Sequence, residues 1–183
     1  MPRFPQQYAE RVQRLRVPVG FLLLAAFAWL SRPGLESLLA SLPIIFLGLV
    51  IRAWAAGHLE KNTTLADSGP YAYTRNPLYL GSFVTALGFA AAAASVILGI
   101  LFIAAFLGIY LPVMEREEEH LLKIFPEYKA YAARVPLLWP RFGPQGSRSF
   151  NLAVYLKNEE YKAALGVLTG LIVVAAKIYW RMR

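Results

Sequence analysis

Two polar segments hold most of the side chains in this sequence that are able to do chemistry. The first runs Gly57-His-Leu-Glu-Lys-Asn-Thr-Thr-Leu-Ala-Asp-Ser-Gly-Pro-Tyr71 and continues through Arg75-Asn76-Pro77-Leu78-Tyr79-Leu80-Gly81. Ser68-Gly69-Pro70 is a turn signal, and Pro77 suits the first turn of a helix, where its missing N–H costs nothing. Asn76 then falls near the N-cap, beside the positive end of that helix. Exposed backbone N–H groups at such an end can hold an anionic group such as a carboxylate. Gly81 lets a ligand or another helix come close to the backbone. Two readings stand: a capped helix start with interfacial tyrosines, or a ligand site.

The second segment begins Glu115-Arg-Glu-Glu-Glu-His120 and leads through Phe125, Tyr128, Tyr131 and Arg134 to Pro136. Carboxylates here suit the hydroxyls of a ribose or a cationic ligand. Glu115 and Glu119 share a helix face. The alternative is a solvated acidic face. A helix ending at this cluster would set its acidic residues against an unfavourable dipole, whereas a helix running past Glu119 would not. Tyr128, Tyr131 and Arg134 at helical spacing put two rings and a guanidinium on one face, for ordinary packing or for one wall of an adenine pocket. Arg52 lies inside an apolar run, Leu49-Val-Ile-Arg52-Ala-Trp54, five positions before Gly57. At mid-bilayer an Arg costs at least about 2.5–3.5 kcal/mol. Snorkelling to the surface and binding of an anionic substrate both account for it.

The elements that must position these groups are membrane spans. Of 183 residues, 57% are hydrophobic and 16% charged, with a mean hydropathy of +0.45. Soluble domains carry about 25% charge. Residues 17–31 are fifteen uncharged residues, and residues 35–56 form a second apolar run. Residues 76–114 are thirty-nine residues without Asp, Glu, Lys, Arg or His. That is long enough for two spans of roughly 20 residues each, joined by a turn near residues 90–95. The last run, 163–180, contains only Lys177, which could snorkel. The expected fold is all-α and polytopic: about five transmembrane helices, with spans 3 and 4 as a helical hairpin and a polar cofactor-binding segment after span 4. Residues 1–183 are expected to form a single membrane domain. A cleaved signal peptide is not expected, because more spans follow the first apolar run.

Arg3, Arg11, Arg14 and Arg16 precede the first span, and residues 115–162 carry eight Lys or Arg. Four intervening spans put both groups on one side, which the positive-inside rule makes cytoplasmic. The net charge of +8 therefore points to anionic headgroups and orientation rather than to nucleic acid. With no Cys and only His58 and His120, no disulfide, thiolate site or His-rich metal site is expected.

The series Arg52-x-Trp54-Ala55, Leu65-x-x-Ser68-Gly69-Pro70-Tyr71, Arg75-Asn76-Pro77-x-Tyr79-x-Gly81, Glu117-Glu118 and Phe125-x-x-Tyr128-x-x-Tyr131-x-x-Arg134-Val135-Pro136 resembles the isoprenylcysteine carboxyl methyltransferase family. That family is related to the phospholipid N-methyltransferases. The likeness spans about residues 45–140 and leaves an extra C-terminal helix at about 159–181. It implies a membrane enzyme that uses S-adenosyl-L-methionine and methylates a lipid-like or prenylated acceptor, most simply a carboxylate such as a prenylcysteine-type C terminus. It implies cofactor contacts at Thr64, Leu65, Ala66, Tyr71, Asn76, Pro77, Leu78, Tyr79, Glu117 and Glu118. It further implies that Arg52 and Arg134 face the substrate as the catalytic pair. Such an enzyme sits in a bacterial inner membrane, or in the endoplasmic reticulum of a eukaryote, among membrane lipids and with its cofactor site on the cytoplasmic side. Where the family usually has His, this chain has Asn76, which keeps an amide but does not titrate near neutral pH. A carboxylate acceptor is already ionised and needs no base, whereas an amine must lose a proton. The alternatives are a phospholipid N-methyltransferase, an NADPH-dependent enzyme like the sterol reductases, or a non-catalytic scaffold.

Overall fold

The computed structural model describes residues 4–141 and 148–183. Arg3 of the basic arm lies outside them. Helix α1 (Gln6–Leu30) begins ahead of the apolar run, so its first turns are charged and only Val17–Leu30 is apolar. These early turns are held by side chains: the Tyr8 hydroxyl donates to Gly108 O at 2.7 Å, and Glu10 pairs with Arg116 at 3.6 Å. Helix α2 (Leu35–Ala56) starts at Gly34, whose N–H donates to Ser37 Oγ. Helix α3 (Pro77–Ala92) follows the first polar segment.

The uncharged run folds as the expected hairpin. It turns at residues 93–95, where Ala94 adopts φ +48° and Ser95 Oγ accepts from Leu98 N. Helix α4 (Val96–Ala105), a π-helical turn (Phe106–Tyr110) and α5 (Leu111–Ile124) form one rod of 29 residues. The rod runs straight through the acidic cluster, so the glutamates do not meet the negative end of a helix. A short α6 (Tyr128–Arg134) follows, then α7 (Leu152–Lys157) and α8 (Tyr161–Met182).

This is an all-α membrane protein. Among the described residues, three helices are long and apolar enough to cross a bilayer: α2, the α4–α5 rod and α8. Two shorter apolar helices, Val17–Leu30 and Pro77–Ala92, stand with them. Large apolar side chains such as Phe21, Phe46, Ile100 and Ile172 are exposed. In water such a surface would be an aggregation hazard, but hydrocarbon solvates it.

The closest helix crossing is α2 on α3, and it is made by glycines. A Cβ on Gly81 would stand 2.7 Å from Gly48 O and 2.7 Å from Arg52 Cγ, and one on Gly88 would stand 2.6 Å from Ile45 Cγ1. Small residues let two backbones meet where no hydrophobic effect drives them together. The close approach foreseen at Gly81 is thus made by a helix. At the far end, Lys177 does not reach outward. Its ammonium donates to Ala28 O and Ser31 Oγ, at 2.6 and 2.7 Å, and so caps the end of α1.

Candidate functional site

The two polar segments meet at one end of the bundle around a cavity of about 650 Å³. Its walls include Thr64, Leu65, Ala66, Tyr71, Asn76, Pro77, Leu78, Tyr79, Glu117 and Glu118, together with Arg52. Every residue expected to touch a cofactor therefore faces a single space. Its size falls within the roughly 300–1,000 Å³ of small-molecule sites.

Local structure explains the convergence. Gly69 sits at φ +57°, and a Cβ there would strike the buried His58 ring, 2.5 Å from Nε2. Only glycine suits both demands, and the turn it makes drives Pro70 and Tyr71 inward. His58 is held in turn by Nδ1, 2.9 Å from Trp54 O, where it acts as donor to a carbonyl. Ala66 and Tyr71 then pack on Ala55 of α2, while Leu65 packs on Tyr128, Tyr131 and Val135. Residues 73–76 are laced to the segment after α6. Arg75 N–H donates to Pro136 O at 2.9 Å, and Arg141 N–H donates to Tyr73 O at 3.0 Å.

Asn76 occupies the N-cap of α3, but its side chain makes no capping bond. Its Nδ2 instead donates to Leu137 O at 3.0 Å, and its backbone N–H donates to Thr74 Oγ1. The amide is a structural pin between the two segments. The expected N-cap position is thus borne out, while the side chain serves the junction of the segments rather than the helix end.

The acidic floor is organised by tyrosines. Tyr79 Oη donates to Glu117 Oε1 at 2.8 Å and Tyr128 Oη to Glu118 Oε1 at 2.9 Å. Arg75 pairs with Glu118 at 2.6 Å. Tyr131 Oη donates to Tyr71 O at 2.7 Å. Burial is the main cause that pushes the hydroxyls of Tyr71, Tyr128 and Tyr131 far above the ordinary tyrosine range. Nearby carboxylates add to it: Glu160 and Glu117 for Tyr71, and Glu118 for Tyr128. The shifts favour the neutral hydroxyls, and those of Tyr128 and Tyr131 donate the bonds just described. The π-helical turn places Tyr110 beside Tyr79, ring centroids 6.0 Å apart, and Tyr110 also lines the cavity. Such turns are frequent at functional sites.

A second cavity of about 460 Å³ lies deeper among the spans. Leu23, Leu24, Phe27, Leu49, Phe89, Phe102 and Val167 give it apolar walls. Arg52 and Ser82 line both cavities, and mark where they meet. Arg52 Nη1 donates to Ser82 Oγ, and Ser82 in turn donates to Leu78 O at 2.8 Å. Arg52 Nε donates to Glu160 Oε1 at 2.5 Å, from the start of α8. The Arg52 guanidinium is thus held within the bundle by three partners, Leu78 O being the weakest at 3.4 Å.

Arg134 departs from expectation. It is exposed, its Nε donates to Ala130 O at 3.4 Å among the described residues, and it lines neither cavity. Tyr128 and Tyr131 turn inward from the same short helix while Arg134, one turn on, points to the outside. The cation paired with Glu118 is Arg75, present in the motif series but not among the expected contacts. Ser82 and Glu160 were not singled out either. Ser82 is a hydroxyl one turn after Leu78 within an apolar helix, which is a readable signal. Glu160 is 108 residues from Arg52 in sequence, and no spacing rule joins them.

Comparison with known proteins gives one family and two relatives. The profile of a family described as phospholipid methyltransferase matches residues 19–128. The nickel-cobalt-cadmium resistance protein NccN of Alcaligenes xylosoxydans xylosoxydans is 38% identical over 100 residues, 53% of this chain and 46% of that protein. The cobalt-zinc-cadmium resistance protein CzcN of Cupriavidus metallidurans is 34% identical over 139 residues, 72% of this chain and 64% of that protein. The chain thus spans about half of the first relative and under two thirds of the second. Neither name specifies a reaction. No solved structure matches the chain significantly.

Proposed function

The chain belongs to the phospholipid methyltransferase family, and from that premise we propose that it transfers a methyl group from S-adenosyl-L-methionine to an amphiphile held in the membrane. The observation that carries this reading is the meeting of a polar cavity and an apolar one at Arg52 and Ser82. A nucleoside-sized cofactor suits the first and a lipid-like or prenyl chain the second, which leaves the reacting group of the acceptor at the junction.

The residues of the polar cavity fit that cofactor. Glu117 and Glu118 offer acceptors for ribose hydroxyls or for an ammonium. The rings of Tyr128 and Tyr131 and the side chain of Leu65 suit a flat heterocycle. Arg52, Lys61 and Arg75 line the cavity against Glu60, Glu117 and Glu118, and Glu160 on Arg52 adds a fourth carboxylate. A cation is thus the ligand that balances the walls. The same acidic floor opposes a 2′-phosphate, which favours Arg, so an NADPH-dependent reductase is the poorer reading. When bound, S-adenosyl-L-methionine supplies an electrophilic methyl group whose carbon–sulfur bond breaks, the pair staying on sulfur, as the acceptor's lone pair forms the new bond.

The chain's own work is positioning and exclusion of water. Arg52, half-buried at the junction, suits an acceptor carboxylate, the group expected of a prenylcysteine-type C terminus, provided that this acceptor displaces Glu160 from it. Asn76 accords with this: its amide is committed to Leu137 O, and a carboxylate needs no base. One observation favours a second reading, N-methylation of a phospholipid amine. Glu160 brings a carboxylate to the junction that could take the departing proton. By the positive-inside rule the polar cavity faces the cytoplasm.

Incubation of the protein with methyl-labelled cofactor and a total lipid extract tests the proposal. Label should appear in the lipid phase. Mild base releases it as methanol from a carboxyl ester and leaves it on an amine. A lipid phase without label above the level given by a Glu118→Gln variant contradicts the proposal.

A further inference from the structure

We propose that Glu160 sets the charge selectivity of the junction by competing with the acceptor for Arg52; this rests on the reading of the junction as the acceptor's end of the site. Glu160 lies outside residues 19–128, the stretch matched by the family. It comes from the segment that leads into α8, and that segment is built to deliver it.

Three contacts fix the delivery. Asn151 N–H donates to Gly57 O at 3.0 Å. Asn158 Nδ2 donates to Ala56 O at the end of α2 and to Leu59 O just beyond it, at 2.9 and 2.8 Å. Glu159 then adopts φ +54°, a conformation that side-chain-bearing residues rarely take, before α8 begins. Ala56 and Arg52 are four apart on one face of α2. Glu159, the first carboxylate after the anchor on Ala56, turns away to Lys162 at 2.7 Å, and the second, Glu160, reaches Arg52.

The pairing occupies the guanidinium where an anionic acceptor would grip it. Glu160 takes Nε, while Ser82 Oγ and Leu78 O take Nη1. A carboxylate binds Arg best through two parallel hydrogen bonds from neighbouring nitrogens. Whether it approaches the edge that contains Nε or the edge that contains Nη1, it meets a nitrogen already engaged. The pair is shielded as well, with Arg52 24% and Glu160 10% exposed. Two carboxylates on one shielded guanidinium leave an uncompensated charge, which is costly away from water. An anionic head must displace Glu160, whereas an uncharged or zwitterionic head need not. Glu160 thereby lowers the affinity of the site for simple anionic amphiphiles, which a membrane holds in excess of any one substrate.

The test uses the full chain in nanodiscs of zwitterionic lipid. The probe is a stearate with a nitroxide on its chain, and the methyl ester of the same molecule is the uncharged control. The immobilised fraction is read by electron paramagnetic resonance. Glu160→Gln should tighten binding of the carboxylate by roughly tenfold, the scale of one charge-assisted hydrogen bond, and leave the ester unchanged. Asn158→Ala, which frees the turn and touches neither charge, should shift the carboxylate in the same direction. It keeps the test valid if Glu160→Gln fails to fold. Carboxylate binding that is unchanged or weaker in the variants that fold overturns the proposal and leaves Glu160 a tether for α8. The readout needs no cofactor, so failure here is separable from failure of the methyltransferase reading, which calorimetry with S-adenosylhomocysteine tests alone.

Discussion

Tyr131 shows how the site is held at the scale of single residues. Its ring is buried and its hydroxyl donates to the carbonyl of Tyr71, joining the second polar segment to the first. Burial raises the hydroxyl far above its ordinary range, with the neighbouring Tyr128 and Tyr71 contributing next. In the unfolded chain tyrosines ionise near pH 10. The folded state keeps its proton past that point, so this contribution to stability is complete below about pH 10 and is lost as pH rises further. The melting temperature in detergent should fall as pH rises above about 10, and the fall should be shallower in Tyr131→Phe. Equal slopes in the two proteins would contradict the linkage. Residue types alone went far toward the site: Thr64, Tyr71, Asn76, Tyr79, Glu117 and Glu118 all reach one cavity. What they could not convey is direction. Arg134 is on the same short helix as Tyr128 and Tyr131 yet points outward, and the Asn76 amide turns from its own helix to Leu137. Six steps of about 100° along the helix already turn Arg134 away from the face of Tyr128, whereas the Asn76 amide's partner depends on where the segment after α6 returns, which no local spacing encodes.

Among elements, the crossing of α2 and α3 matters most, because it sets Arg52 against Ser82. Gly48 and Gly81 allow it, with a carbonyl and the Arg52 stem already close to where a Cβ of Gly81 would lie. Gly81→Val would overpack this contact and cost about 1–3 kcal/mol. It should lower the melting temperature and also weaken cofactor binding, since Leu78 and Tyr79 sit on the adjacent turn. A variant as stable as wild type would mean that the helices can part without loss. Helix existence and the hairpin turn were legible in charge-free runs. The helix limits were not, because charged turns at the start of α1 and at the end of the rod are stabilised by tertiary pairs such as Glu10 with Arg116. The rod's passage through the glutamate cluster is of the same kind. It requires Tyr79, Tyr128 and Arg75 to come from elsewhere and take up the negative charge.

For the whole molecule, the bundle is polar at one end and apolar in its middle, and Arg52 stands at the boundary between the two. The start of α1, the end of α2, the start of α3 and the acidic turns of the rod all gather at the polar end. Residues 148–160 cross that end: Arg148 donates to Thr64 Oγ1, Asn158 to the end of α2, and Glu160 receives Arg52. In the sequence this stretch was only the approach to an extra helix, because its partners lie about a hundred residues away. The central claim is that the polar cavity holds S-adenosyl-L-methionine. Isothermal calorimetry of S-adenosylhomocysteine with the full chain in nanodiscs tests it most directly. Saturable one-to-one binding is expected, weakened about tenfold or more in Glu118→Gln, the scale of a hydrogen bond to a charged group. Absence of heat at millimolar ligand, or equal affinity in wild type and Glu118→Gln, would contradict it.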